Sequence, residues 1–305
     1  MHAPDRYARV VSISKEGLNT DSRAEAVQSF LERLDQAASF RPDLACLPEN
    51  TPGREPEEVP GPSTEAFAAW AKAHRCWVIC PLIARENGVL YNTSVLFDRE
   101  GRIVWRYRKQ HPTEPEIERG ILPGPRHPGV FKTDFGNLGM AICFDVNWFE
   151  DWTNLKEAGA DLAVFSSAYS ANLVLAAHAL RNEMYIVSST RSRLCRIYDI
   201  TGTELDHSGA YRGWAQYNLN LDKRLFEIDF HMKKIRALEQ KYGDRVELTW
   251  FHDEDWFTLA SRDPELSTAA LIEEFELVPR RPYHKRCEDA QNRARPSRER
   301  AGAVS

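Results

Sequence analysis

Three short apolar runs in this 305-residue chain each stop at a side chain suited to nucleophilic chemistry. Leu44-Ala-Cys-Leu-Pro-Glu49 ends in a carboxylate, Ile103-Val-Trp-Arg-Tyr-Arg-Lys109 in an amine, and Leu138-Gly-Met-Ala-Ile-Cys143 in a thiol. Strand ends hold functional groups more rigidly than loops do. A thiol, a base and a cation brought together would form a complete site for covalent catalysis. The ammonium favours the thiolate, the carboxylate accepts its proton, and the ammonium with a backbone N–H after the cysteine stabilises an oxyanion. Attack on an amide carbonyl would then give a tetrahedral adduct, loss of amine, and a thioester that water hydrolyses. Each residue alone also has a plainer reading. Cys143 fits a packed core thiol, Glu49 a helix-start or loop carboxylate, and Lys109 a solvated strand-end charge.

The elements around these residues predict one layered α/β domain. Tyr7–Ile13 is a β-branched run. Ser22 and Glu25 form a capping box ahead of the helical stripe Ala26, Val27, Phe30, Leu31, Leu34 and Ala38. A strand at 43–47 is followed by a Pro- and Glu-rich loop at 51–62 and a helix at 64–74. Strands are predicted at 76–84, 89–97 and 102–107, the last two as a hairpin, followed by a long loop at 110–128. A second hairpin spans 130–142. After Cys143 come a helix near 150–158, a strand at 162–166, a helix near 171–182 and a strand at 185–190. Further strands fall near 196–200, 214–219 and 225–229. Crossovers and hairpins together predict a mixed sheet layered with helices.

Composition sets outer bounds. With 40 Lys+Arg, 45 Asp+Glu and a net charge of -5, the chain lacks the basic surface of a general nucleic-acid binder. A hydrophobic share of 42% argues against disorder. Residues 285–305 carry six basic and three acidic groups, a net +3, which leaves -8 on the rest. No stretch has the length of a membrane span and no apolar signal core follows the N-terminus, so a cytoplasmic chain is expected. Six cysteines are too sparse for a disulfide scaffold and are expected to be reduced. Residues 1–245 are read as the catalytic domain. Residues 246–284 are read as an extension packing on that domain or on a partner subunit, and 285–305 as a basic flexible tail.

The three segments resemble, in order, the motifs of the nitrilase superfamily of carbon–nitrogen hydrolases. LPEN at 47–50 looks like its glutamate motif, YRKQHP at 107–112 its lysine motif, and GMAICFDVNWFE at 139–150 its nucleophile motif. The 60 residues from Glu49 to Lys109 and the 34 from there to Cys143 also fit. The likeness covers roughly residues 7–230. It implies a four-layer α-β-β-α sandwich that assembles as a homodimer or higher homo-oligomer and uses no metal or organic cofactor. It implies Cys143 as nucleophile, Glu49 as general base and acid, Lys109 as oxyanion stabiliser, and the Phe144 backbone N–H as second oxyanion donor. Glu118, ahead of Pro123-Gly124, resembles the family's second glutamate, with Glu116 as its rival. Asn147, Trp148 and Tyr169 are expected to contact substrate, and Asn172 is placed near them.

The Phe144-Asp145 pair favours a small-molecule amide or N-carbamoyl substrate over a nitrile, since true nitrilases of the family generally carry Trp-Glu there. The Pro112-Thr113 and Glu118-Arg119 pairs keep a nitrile open. A non-catalytic binding member is a third reading, which the intact Glu-Lys-Cys set opposes. The family's later Arg-Ala-x-Glu-Asn motif is degraded to His178-Ala-Leu-Arg-Asn182. Cys76 and Cys80 lack a second ligand pair for zinc, His252-Asp253-Glu254-Asp255 lacks a calcium loop, and Gly61, Gly88 and Gly101 make no phosphate fingerprint. The basic tail fits a solvated segment better than a partner site.

Overall fold

The runs predicted as strands are strands, and the central ones are buried along nearly their whole length because both of their faces are covered. In the computed structural model, which describes residues 7–192 and 194–296, thirteen strands build two sheets. In chain order they are β1 (Tyr7–Ile13), β2 (Leu44–Cys46), β3 (Glu57–Glu58), β4 (Trp77–Glu86), β5 (Val89–Phe97), β6 (Ile103–Arg108), β7 (Phe131–Lys132), β8 (Asn137–Ile142), β9 (Leu162–Ser167), β10 (Tyr185–Thr190), β11 (Arg196–Tyr198), β12 (Glu204–His207) and β13 (Trp214–Asn220). One sheet runs β13-β1-β2-β4-β5-β6 with β3 beside β4, and the other runs β12-β11-β10-β9-β8-β7. The central pairs β1-β2, β2-β4, β8-β9 and β9-β10 are parallel.

Alternation along the strands sorts residues into layers. Val11, Ile13, Ala45, Leu47, Val78 and Cys80 pack against Phe30, Leu34, Phe67 and Trp70 from α1 (Arg23–Ala37) and α2 (Pro62–His74). On the second sheet, Ala141, Ala163, Phe165 and Ile186 meet Trp152, Leu155, Leu175 and Ala179. Those four belong to α4 (Phe149–Glu157) and α5 (Asn172–Asn182), which follow the short α3 (Glu114–Glu118). The opposite strand faces lie against each other, joined by serine hydroxyls. Ser12 donates to the Ser188 carbonyl at 2.6 Å, Ser166 to Leu47 at 2.9 Å and Ser189 to Ile13 at 2.7 Å. The result is the expected α-β-β-α sandwich. Of the predicted capping box the N-cap half forms, the Glu25 N–H donating to Ser22 Oγ at 3.2 Å, while the Glu25 carboxylate accepts from the Ser22 hydroxyl at 2.7 Å rather than from its backbone N–H.

The sandwich closes at Leu221, and a second unit starts at Asp222. There β14 (Arg224–Glu227), β15 (Val246–Phe251) and β16 (Trp256–Ser261) form an antiparallel sheet in the order β14-β16-β15. It shares a core with α6 (Met232–Tyr242) and α7 (Thr268–Glu274) through Phe226, Ile235, Leu238, Phe257, Leu259 and Leu271. The boundary therefore lies earlier than the expected 245/246, because β14 pairs with β16 rather than with either large sheet. The expected tail also begins inside a helix, α8 (Arg280–Ala294), and its last nine residues lie outside the described ones. Among the described residues no helix is long and apolar enough to cross a membrane.

Candidate active site

Each of the three predicted groups stands just past the end of a strand in the sandwich. Glu49 follows β2 in a turn fixed on both sides: the Leu47 N–H donates to the Ile79 carbonyl, the Thr51 N–H to the Pro81 carbonyl, and the Thr51 hydroxyl to the Pro48 carbonyl at 2.7 Å. Lys109 follows β6, its N–H donating to the Asn92 carbonyl of β5 at 2.8 Å and its carbonyl accepting from Gly124 at 2.8 Å. Gly124 has a local reason to be glycine, since a Cβ there would lie 2.3 Å from the Arg108 carbonyl. Cys143 follows β8 with φ of 48°, a left-handed conformation that is strained for a side-chain-bearing residue and turns the chain sharply at the thiol.

Lys109 is only 2% exposed, between Glu49 (4%) and Glu116 (6%). Its Nζ donates to Glu116 Oε2 at 2.7 Å and to Glu49 Oε1 at 3.2 Å. The Asn92 amide bridges the same two carboxylates, donating to Glu49 Oε1 and Glu116 Oε1 at 2.8 Å each. Thr113 adds its N–H at 2.8 Å and its hydroxyl at 3.0 Å to Glu116 Oε2. Burial alone would lower the Lys109 ammonium, but Glu49, Cys143 and Glu116 outweigh it and raise its pKa. Burial likewise opposes ionisation of Glu116, yet Lys109, Thr113 and Asn92 bring its pKa below the usual value. Glu116 is thus the second glutamate of this cluster. Glu118, the expected one, is exposed at the end of the five-residue α3. Two residues along a helix point to widely separated directions, so only one of the pair can face Lys109.

The thiol is not pre-ionised. Burial first and Glu49 second push the Cys143 pKa up to about 11, against the pull of Lys109 and of hydrogen bonds from the Ala168 backbone and the Ser167 hydroxyl. Lys109 does favour the thiolate, but the low-dielectric setting and the carboxylate outweigh it. Asp145, two residues on, is a buried pin. Its carboxylate accepts from the Ile142 N–H at 2.8 Å, the Tyr107 hydroxyl at 2.6 Å and the His111 N–H at 2.8 Å. One side chain therefore joins the end of β8, just before Cys143, to the residues on either side of Lys109's strand end.

A sequence model of the family described as carbon-nitrogen hydrolase matches residues 10–215. The chain belongs to that family. This carbon–nitrogen hydrolase, an enzyme acting on C–N bonds other than peptide bonds, is 27% identical over 237 residues to the deaminated glutathione amidase of Synechocystis, covering 65% of this chain and 87% of that protein. It is 22% identical over 258 residues to the human omega-amidase NIT2, covering 76% and 91%. Among solved structures, the C. elegans NitFhit protein superposes with a TM-score of 0.65 at 16% identity, over 80% of this chain and 66% of that one. A variant of the amidase from Nesterenkonia sp. AN1, with the acetamide moiety of fluoroacetamide covalently added at its active site cysteine, superposes with a TM-score of 0.62 at 16% identity, over 77% and 96%.

In this carbon–nitrogen hydrolase the remaining expected residues divide in two. Phe144 (38% exposed), Trp148 (37%) and Tyr169 (41%) are open to solvent. Trp148 stacks on the His111 ring with centroids 3.7 Å apart, and His111 Nε2 lies 2.7 Å from Asp151 Oδ2. Tyr169 is close enough to Cys143 for that thiol, after burial, to raise its pKa. Asn147 instead donates to the Phe144 carbonyl at 3.0 Å, closing the turn after the cysteine. Asn172 accepts from the Tyr198 hydroxyl at 2.8 Å. In the degraded motif, His178 and Asn182 are buried and Arg181 is exposed. The His178 Nε2–H donates to the Val146 carbonyl at 2.8 Å and its ring stacks on Trp152, which makes it part of the helix packing. Sequence reasoning missed Asn92, Ser167 and the pinning role of Asp145. The signal for Asn92 was available, as an amide in the middle of the strand-like run 89–97.

Proposed function

We propose that this hydrolase cleaves small-molecule amides through a thioester on Cys143. The carbonyl carbon is attacked by Cys143 Sγ while Glu49 takes the thiol proton, which suits a thiol that is protonated at neutral pH. The oxyanion is met by Lys109 Nζ and the Phe144 backbone N–H. Collapse of the adduct expels the amine, which leaves with the proton held by Glu49. Water then attacks the thioester, again giving its proton to Glu49, and the carboxylic acid departs with the free thiol restored. Glu116 fixes Lys109 and balances its charge, so it is a positioning residue. The observation that carries this reading is the ammonium of Lys109, buried between two carboxylates and electrostatically coupled to the thiol.

The names of the relatives, an omega-amidase and a deaminated glutathione amidase, favour an amide, and the Phe144-Asp145 pair disfavours a nitrile without separating amides from N-carbamoyl compounds. Ammonia release measured across amides, N-carbamoyl amino acids and nitriles tests it. The expected result is turnover on amides with a matching acyl mass on Cys143 in quenched wild-type enzyme, and neither signal in Cys143→Ala. Turnover confined to nitriles, or retained by Cys143→Ala, would overturn the proposal.

A further inference from the structure

One buried residue, Asn92, is bonded to all three charged groups of the Lys109 cluster. It lies in β5 and is fully buried. Val95 and Phe97 of the same strand share the core beneath α1 and α2, so the alternate residues Asn92, Ser94 and Leu96 face the other way, toward the second sheet. Asn92 Nδ2 donates to Glu49 Oε1 and to Glu116 Oε1, at 2.8 Å each. Its backbone carbonyl accepts the Lys109 N–H at 2.8 Å. A primary amide is suited to this place because one neutral nitrogen supplies two donors. A hydroxyl would supply one, and an aspartate would add a third carboxylate.

The two carboxylates are held unequally. Glu116 accepts from Asn92 on Oε1, and on Oε2 from Lys109 at 2.7 Å, the Thr113 N–H at 2.8 Å and the Thr113 hydroxyl at 3.0 Å. Glu49 accepts only on Oε1, from Asn92 at 2.8 Å and from Lys109 at 3.2 Å. Asn92 is therefore the shorter of the two tethers on Glu49, and Oε2 of Glu49 accepts no bond among the described residues. The orientation of the amide is forced, since turning it over would set Oδ1 against two carboxylate oxygens. As oriented, Oδ1 is buried and has no partner among the described residues. That orphan costs stability. A leucine would fill the same space without the cost, so packing does not account for an asparagine here.

We propose that Asn92 is a positioning residue of the reaction, which locks Oε1 of Glu49 and so reserves Oε2 as the oxygen that exchanges the proton. The inference rests on the Cys143 hydrolase reading. As Sγ attacks the carbonyl carbon, the S–H bond breaks and an Oε2–H bond forms. The same proton passes to the leaving nitrogen as the C–N bond breaks, which returns Glu49 to its carboxylate form. Without the amide, Glu49 keeps only its longer tether and Oε2 loses its aim. Glu116 keeps three other bonds, so Lys109 is disturbed little.

Two measurements on full-length enzyme test it. The first is a double-mutant cycle on amide turnover. Asn92→Leu keeps the volume and removes both donors, and kcat is expected to fall about 10²-fold with KM within about three-fold of wild type. In Glu49→Gln enzyme, which has no base to aim, the same substitution is expected to cost no more than about three-fold further. Asn92→Asp keeps the shape and replaces the donors by acceptors. It is expected to lose at least as much as Asn92→Leu, and it serves the cycle if the leucine variant fails to fold. Equal losses in the two backgrounds would make Asn92 a packing residue and overturn the proposal. The second measurement needs no turnover. In crystal structures of the wild type and whichever variant folds, the Glu49 carboxylate is expected to be fixed in the first and displaced or in several positions in the second. An unmoved Glu49 in the variant would also overturn the proposal. A displaced Glu49 in an enzyme whose wild type turns over no amide would instead refute the hydrolytic reading and leave the positioning of Glu49 by Asn92 standing.

Discussion

The two units each bury a polar cluster, and the clusters differ in kind. In the second unit His231 is fully buried beside Phe226, Phe230 and Phe257. Its Nδ1–H donates to the Glu227 carbonyl at 2.8 Å and its Nε2 accepts from the Val278 N–H at 3.0 Å. Both ring nitrogens are satisfied and the ring is neutral, so its burial costs little. In the sandwich, two carboxylates share one ammonium and one amide, which leaves a net negative charge in a nearly dry place. The Asn92 amide gives both carboxylates a hydrogen bond, while its own Oδ1 finds no partner among the described residues. A satisfied, neutral cluster holds a fold together. An unbalanced charged one carries a cost to stability, and such clusters gather at functional sites.

Removing the two catalytic charges separately gives the largest expected effects and opposite signs at the thiol. Glu49→Gln removes the carboxylate that raises Cys143, so the pH profile of iodoacetamide alkylation shifts to lower pH. Turnover nevertheless falls about 10³-fold, because no base remains. Lys109→Met shifts the same profile upward and lowers turnover by about 10²- to 10³-fold through loss of an oxyanion donor. Inactive variants whose profiles move in the same direction would show that the thiol does not sense the two charges as described.

Much of this arrangement was readable before the fold was seen, and the failures have physical causes. The three strand ends were legible because an apolar run that halts at a charged or thiol side chain is a one-dimensional signal. Which of two nearby glutamates meets Lys109 was not. The answer depends on α3, which forms inside a segment read as loop, with Thr113 ahead of it and Pro115 in its first turn. Helix α8 was missed for the converse reason: it has no buried residue and therefore no apolar stripe. The boundary at Leu221 depends on β14 pairing with β16 across the 28 residues 228–255, and no local pattern reports that choice.

The second prediction tests that choice of glutamate. Glu116→Gln keeps the shape but removes the charge that positions Lys109, and kcat is expected to fall about 10²-fold with a smaller change in KM. Glu118→Gln changes an exposed residue outside the cluster and is expected to leave both constants within about two-fold of wild type. The reverse order of effects would return the second-glutamate role to Glu118.

The smallest expected effect lies in the second unit and is one of stability alone. Burial lowers the His231 pKa, against the pull of its bond to Glu227. Above about pH 6.5, the ordinary histidine value, the ring is neutral whether the chain is folded or unfolded, and it adds no pH dependence. Below that value the unfolded chain takes up a proton that the folded ring resists, so the unfolded state binds more protons and stability falls as pH falls. The decline continues until the lower, folded-state pKa is reached. Replacing the ring by His231→Gln, which keeps an acceptor for the Val278 N–H, is expected to lower stability at neutral pH and to flatten this acid-side slope. Urea midpoints measured from about pH 7 down to about pH 5 decide it. An unchanged slope would mean that the folded ring takes up its proton as readily as the unfolded one, and the contrast between a neutral structural cluster and a charged catalytic one would lose its second term.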